Sequence, residues 1–196
     1  LKNIFYMDLD AFSLFQEDLN NDNIDRVINA VNKITVVAAS IGLERTAMQL
    51  FPCVPQMLSI SSDQALLSLG YQLYNIYDIA GRGVSPKVTV AHNDNIITLV
   101  LTAIQQLSQE EEVIVRQSAI VAFNKIIPTL SRDVMLTFVL NLWQQLASSE
   151  SFCGRHTAMC TLPTLHRYVD QYYHYYQQNH YVIKQNEIFF HSFHLI

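Results

Sequence analysis

Glycine and proline are scarce in this chain, which has five of each among its 196 residues. Turn-dense all-β chains, collagen-like chains and Gly/Ser linkers need many more of these residues, so the composition excludes all three. Only 15% of the residues are charged, whereas 50% are hydrophobic. Intrinsic disorder requires the opposite balance and is also excluded. The composition therefore predicts long helices that are joined by short polar turns.

Basic clusters and long apolar runs are also missing. The net charge is −5, and the lysines and arginines form no run, so neither nucleic acid nor an anionic membrane is expected as a partner. Every uncharged stretch is shorter than the ~20 residues that a membrane-spanning helix needs. We therefore predict no nucleic-acid partner and no membrane partner.

Cysteine is rare, and Cys53, Cys153 and Cys160 form no Cys-x-x-Cys motif. An odd number of isolated cysteines is typical of reduced thiols in an intracellular protein. We expect these residues to act as small hydrophobic packing residues. The expected location is cytoplasmic, extending to the nucleus.

Apolar residues recur at helical spacing along most of the chain, and no stretch shows the period of two that strands require. The spacing predicts three buried helical faces: Ile24, Val27, Ile28, Val31, Ile34, Val37 and Ile41; Ile114, Val115, Ile120, Phe123, Ile126 and Ile127; and Val134, Met135, Phe138, Val139, Leu142, Trp143 and Leu146. The sequence therefore predicts an all-α fold.

The helical segments are separated by polar turns at 20–23, 59–63, 108–112 and 147–151. The second helix of each pair carries a small residue at an equivalent place: Ala30, Gly70, Ala119 and Ala158. Their intervals are about 40 to 50 residues, near the ~40–47 of HEAT or armadillo repeats, and an insertion at 82–94 accounts for the longest. The alternative is an ordinary helical bundle in which four small residues align by coincidence.

Two segments after these turns share a pattern. Residues 111–119 contain two acidic residues, then Val-Arg at Arg116, then Ala119, and residues 151–158 repeat the Arg-x-x-Ala half through Arg155. Pro52 follows Leu-Phe in a predicted first helix, and residues 42–46 are Gly-Leu-Glu-Arg-Thr. These motifs resemble HEAT repeats, and their order is similar to that in the scaffold (A, 65 kDa regulatory) subunits of protein phosphatase 2A.

The resemblance implies a right-handed α-α superhelix, a HEAT/armadillo-like solenoid of about four helix-pair repeats. We place the repeats within residues 1–167, at about 4–45, 46–84, 92–130 and 131–167, followed by an atypical Tyr/His-rich tail at 168–196. In that family a proline bends the first helix, and the acidic residue and the arginine form a ladder with neighbouring repeats. The implied structural positions are Ala30, Pro52, Gly70, Arg116, Ala119, Arg155 and Ala158.

The resemblance also implies a non-catalytic scaffold or regulatory subunit of a serine/threonine phosphatase complex. In that family the turns within the early repeats bind regulatory B-type subunits, and the late repeats hold the catalytic subunit. The catalytic subunit is therefore expected as a partner only if later repeats exist. The residues predicted to contact a B-type subunit are Asp63, Glu110, Glu111, Glu112, Glu150, Ser151 and Phe152.

We find no nucleophile elbow, zinc-protease motif or phosphate-binding loop in the sequence. The acidic run at 110–112 is expected to be a solvated turn before a helix, where carboxylates stabilise the helix dipole. No catalytic residue, cofactor or metal ion is predicted. Three alternatives stay open: another HEAT/armadillo adaptor for transport or complex assembly, surface turns that bind no partner, and a helical enzyme with an unrecognised site.

Overall fold

The computed structural model describes residues 10–81 and 90–178, with side chains at 10–80 and 95–169. All regular structure in these ranges is helical, which confirms the all-α fold class. The α-helices in chain order are α1 (Ala11–Leu19), α2 (Ile24–Asn32), α3 (Ile34–Arg45), α4 (Val54–Leu58), α5 (Asp63–Gly81), α6 (Val90–Leu107), α7 (Val113–Ile126), α8 (Arg132–Val134), α9 (Leu140–Ala147) and α10 (Phe152–Gln178).

The helices form four helix–turn–helix pairs in two layers, a HEAT-like solenoid. The second helices of the pairs are α2 with the first part of α3, then α5, α7 and α10, and they contact one another in that order. In the layer of first helices, α4 contacts α6 and α6 contacts α9. Because neighbouring pairs make these contacts, the hydrophobic core extends along the stack.

The junction between the first and second pairs lies inside α3, at Gly42. Its φ of 77° falls in the left-handed region that glycine adopts without strain. The Thr46 hydroxyl lies 3.1 Å from the Ala38 carbonyl oxygen and 2.8 Å from that of Gly42. The Arg45 guanidinium donates to both carboxylate oxygens of Asp10, the residue before α1. The Gly-Leu-Glu-Arg-Thr segment therefore builds the corner between the two pairs.

The first helices of the second and fourth pairs are irregular. Thr46–Leu50 and Met135–Val139 form π-helical turns, and Phe51–Cys53, which contains Pro52, forms a 3₁₀ turn before α4. Proline interrupts the helical hydrogen-bond ladder because it has no backbone N–H. Pro52 therefore lies at the irregular point of the second pair, whereas the fourth pair has a π-helical turn without a proline.

A glutamine side chain closes the break between α2 and α3 at Lys33. In an unbroken helix the Thr35 N–H would donate to the Val31 carbonyl; here it donates to Gln72 Oε1 (3.2 Å). Gln72 Nε2 in turn donates to the Val31 carbonyl (2.9 Å) and to the Ser68 hydroxyl (2.7 Å). A side chain that inserts into the helical ladder is a known cause of kinks. Gln72, on α5, thus links the second pair to the kink of the first.

The predicted apolar faces are largely buried, but two residues at helix starts are not. Val31, Ile34, Phe123 and Leu146 are fully buried, whereas Ile24 and Ile114 are about half exposed. The prediction that Ile24 and Ile114 face the core is wrong. Both lie in the first turn of a second helix, at the edge of the stack.

The small residues of the second helices lie where helices approach closely. An ideal Cβ on Gly70 would lie only 1.9 Å from Ser118 Oγ and 2.8 Å from Ser118 Cβ on α7. Ala30, Ala119 and Ala158 are likewise buried. A side chain larger than hydrogen at Gly70 would therefore separate α5 from α7.

Two features differ from the predicted segment boundaries. Helix α6 begins at Val90, inside the predicted insertion at 82–94, because its first polar residues hid the helical pattern. Helix α10 contains Pro163 and continues to Gln178, past the predicted repeat end at residue 167. The rest of the insertion and residues 179–196 of the tail lie outside the described residues.

Within the described ranges, no single helix is both long and apolar enough to cross a membrane. One bent pair, Ile24–Asn32 with Ile34–Leu58 at 55°, meets the length and composition test jointly. Both helices of this bent pair contribute buried side chains to the core.

Candidate partner-binding ridge

Four turns join the two helices within each pair: residues 20–23 (turn 1), 59–62 (turn 2), 108–112 (turn 3) and 148–151 (turn 4). Gln56 Nε2, at the end of the second pair's first helix, donates to Asn20 Oδ1 of turn 1 (2.9 Å). Turns 2 and 3 flank one small buried cluster, which consists of Leu66, Leu107, Val115 and Ala119. Successive turns are therefore neighbours, and we name them, with the first two residues of each following helix, the turn ridge.

Turns 3 and 4 pack against each other through a glycine. An ideal Cβ on Gly154 would lie 3.0 Å from Gln109 Nε2 of turn 3 and 2.9 Å from Ser149 Cβ of turn 4. Gln105 Nε2 on α6 also donates to Gln145 Oε1 on α9 (3.2 Å). These contacts hold the third and fourth turns in register.

An arginine at the fourth position of α7 and of α10 holds the preceding turn. Arg116 Nη1 donates to the carbonyl oxygens of Glu110 and Glu111, both at 2.7 Å. Arg155 Nη1 donates to the two corresponding carbonyl oxygens of turn 4, also at 2.7 Å. The expected ladder to neighbouring repeats is therefore wrong for these two residues: each guanidinium forms its described hydrogen bonds within its own turn, where two carbonyls converge on Nη1.

Polar side chains in the turns cap the second helices. Asn23 Oδ1 accepts the Asp25 N–H (2.9 Å), and Ser151 Oγ accepts the Cys153 N–H (3.1 Å). Such caps satisfy backbone donors that have no partner within the helix. Ser151, one of the predicted contact residues, is half-buried and has this structural role.

The other predicted contact residues lie on the turn ridge and are mostly accessible. The exposed ones are Asp63, Glu111, Glu112, Glu150 and Phe152, and Glu110 is half-buried. Phe152 is 65% exposed, and its ring centroid lies 5.9 Å from that of His156. The structure brings the predicted residues of turns 3 and 4 side by side, and Asp63 follows turn 2.

Sequence reasoning missed the apolar part of the turn ridge. Val113 is 61% exposed and Ile114 50% exposed at the start of α7, and Ile24 is exposed at the start of α2. Together with Phe152 they place exposed apolar side chains after three of the four turns. The available signal was an apolar residue directly after a polar turn and one step before the buried stripe.

The cysteines differ in their surroundings. Cys53 is half-buried, and burial raises the pKa of its thiol. Cys160 is exposed on α10, so its predicted packing role is wrong: it lies on the outer side of the last described pair. Its Sγ is 3.7 Å from His156 Nε2. In the described part of the chain, no group of three His, Cys, Asp or Glu side chains could hold a metal ion.

Comparisons with known proteins agree with this geometry. No family model matches the chain. It is 28% identical over 148 residues to the A-type regulatory subunit of protein phosphatase PP2A from Schizosaccharomyces pombe. It is 29% identical over 147 residues to the protein phosphatase 2A scaffold subunit of Dictyostelium discoideum.

The chain is a divergent relative of the protein phosphatase 2A scaffold subunit. A human relative, the beta isoform of the 65 kDa A-type regulatory subunit of serine/threonine-protein phosphatase 2A, is 25% identical over 146 residues. These alignments cover 72% to 76% of this chain but only 22% or 23% of each relative. The chain thus spans less than a quarter of the length of the scaffold subunits that it matches.

Proposed function

We propose that the chain is a non-catalytic scaffold element of a serine/threonine protein phosphatase 2A complex and that its turn ridge binds a regulatory B-type subunit. The observation that carries the proposal is the turn ridge itself. Exposed acidic and apolar side chains converge at turns 3 and 4 of a stack whose relatives are named scaffold and regulatory subunits.

The chemistry of the turn ridge defines the partner surface. Phe152, Val113 and Ile114 offer apolar anchors, and burial of a large apolar side chain contributes about 1.5–3 kcal/mol. Glu111 and Glu112 surround these anchors with negative charge, which increases association with a basic surface. We infer that the B-type subunit presents basic side chains around an apolar depression.

The mechanism is positional. Arg116 and Arg155 fix the backbone of turns 3 and 4, so the contact residues lose little conformational freedom on binding. A scaffold raises the effective concentration of the proteins that it holds together. Binding of the catalytic subunit is proposed only for a polypeptide that carries later repeats. We also propose a cytoplasmic location that extends to the nucleus, with reduced thiols.

Titration of the full chain with a purified B-type subunit of phosphatase 2A tests the proposal. Phe152→Ser should weaken binding by at least about tenfold, because a central apolar anchor is removed. Glu111→Lys with Glu112→Lys should slow association and reduce its dependence on salt. Isothermal titration calorimetry and stopped-flow kinetics measure the two effects.

Met48→Ser is the matched control. Met48 is 54% exposed, but it lies on the first helix of the second pair, away from the turn ridge. The control should bind as the unmodified chain does. The proposal fails if the B-type subunit does not bind, or if Met48→Ser weakens binding as much as Phe152→Ser.

A further inference from the structure

We propose that the outer face of α10 is a docking surface for an α-helix of another polypeptide that presents small side chains, and that the opposite end of the stack is closed to such docking. The docking surface consists of Arg155, Met159 and Leu162, and we name it the end face. It is separate from the turn ridge, and the proposal does not depend on phosphatase binding.

The internal interfaces show what this face is built to contact. In each second helix, the fourth, eighth and eleventh residues point toward the next pair. In the first three pairs all nine of these residues are buried: Val27, Val31 and Ile34; Leu66, Gly70 and Leu73; Arg116, Ile120 and Phe123. The end face occupies the same three positions of α10.

The end face keeps the chemistry of these interfaces but has no cover. Met159 is 62% exposed, whereas its counterpart Ile120 is 4% exposed beneath α10. Arg155 is exposed, whereas its counterpart Arg116 is buried. A solenoid that ends here would carry polar side chains at these positions. The end face thus continues a series of established interfaces.

The helices that cover the internal faces share a stripe of short side chains. The stripe comprises the third, sixth and tenth residues of α5, α7 and α10: Ala65, Ser68 and Gln72; Val115, Ser118 and Ala122; Gly154, Thr157 and Thr161. Eight of the nine are no larger than valine. The approach of Ser118 to Gly70 shows how closely this stripe packs on the preceding helix. A helix that docks on the end face therefore needs such a stripe.

The chain's own first pair does not offer that stripe. The equivalent residues there are Arg26, Asn29 and Lys33, which are large, polar and exposed. Stacking a second copy head to tail would bring Arg26 and Lys33 against Arg155, so like charges would meet without water. Pairing two end faces would likewise oppose two copies of Arg155 without a small stripe. The occupant is therefore a helix of a different polypeptide.

A copy of the full chain with a remade stripe provides a defined probe. The substitutions Arg26→Val, Asn29→Ser and Lys33→Ala copy the hydrophobic and small residues of α7, and Met159→Asp prevents the probe from binding itself. A second probe retains Arg26, in case its salt bridge to Asp18 is needed for folding. Circular dichroism verifies that each probe is helical.

Fluorescence anisotropy and sedimentation velocity then measure binding of labelled probe to the unmodified chain. We expect a 1:1 complex, loss of at least about tenfold in affinity when the unmodified chain is replaced by Met159→Asp, and no loss with Met48→Asp. We also expect no head-to-tail assembly of the unmodified chain. Absence of a complex with both folded probes, or equal binding to Met159→Asp, would overturn the end face. Head-to-tail assembly of unmodified copies would overturn the closed end.

Discussion

Two arginines with the same hydrogen bonds differ in burial, and this difference predicts their contributions to stability. Arg116 is buried, so Arg116→Ala should leave turn carbonyls without a partner and cost about 2–4 kcal/mol. Arg155 is exposed, water can replace its bonds, and Arg155→Ala should cost less than about 1 kcal/mol. Urea unfolding of the two variants measures the difference. Equal losses would show that burial does not decide the role of these residues.

Gln72 offers a second test at the residue scale. Gln72→Leu removes the amide that bonds the Thr35 N–H and the Val31 carbonyl, and two polar groups lose their partner. We expect a loss of about 1–3 kcal/mol and faster hydrogen exchange at Thr35. Gln64→Leu, at an exposed site on the same helix, is the control and should change neither quantity. Unchanged exchange at Thr35 would contradict the clasp.

The ion pair at the corner of the first two pairs predicts a dependence on pH. The hydrogen bonds from Arg45 hold the pKa of the Asp10 carboxyl below its ordinary value of 3.8. A lowered pKa in the folded state adds stability above pH 3.8 that disappears as the pH falls through the lowered pKa. The difference in unfolding free energy between the unmodified chain and Asp10→Asn should therefore be present near pH ~6 and vanish near pH ~2. A difference of equal size at both pH values would disprove this role.

At the scale of the helix, the contact between α5 and α7 depends on Gly70. Alanine normally favours a helix interior over glycine by about 0.5–1 kcal/mol. Gly70→Ala should nevertheless destabilise the chain, because the new Cβ would overlap Ser118. The double variant Gly70→Ala with Ser118→Gly should recover most of the lost stability, measured by thermal unfolding. A stabilising Gly70→Ala would contradict the close packing of α5 on α7.

The helices themselves could be predicted from apolar spacing, because a side chain that faces the core repeats with the helical period. That spacing placed Val31 and Phe123 correctly but misplaced Ile24 and Ile114, since spacing does not show where a neighbouring helix ends. The break at Lys33 and the π-helical turn at Met135–Val139 had no sequence signal, because tertiary contacts produce them. The carbonyl targets of Arg116 depend on turn geometry and were equally hidden.

At the scale of the whole molecule, the stack explains the combination of few glycines, few charges and many apolar residues. Each second helix is covered on two sides, so apolar residues are needed along both faces. The turns are left to carry the acidic and exposed apolar residues of the turn ridge. The family resemblance located Glu110, Glu111, Glu112 and Phe152 on this surface, but the exposed Val113 emerged only from the structure.

Hydrogen-exchange mass spectrometry of the full chain, with and without a purified B-type subunit, tests the central claim most directly. The turn-ridge account predicts protection of residues 108–114 and 148–153 in the complex. It predicts unchanged exchange in α4 and in the first helix of the second pair. Protection confined to those helices, with turns 3 and 4 exchanging as in the free chain, would contradict it.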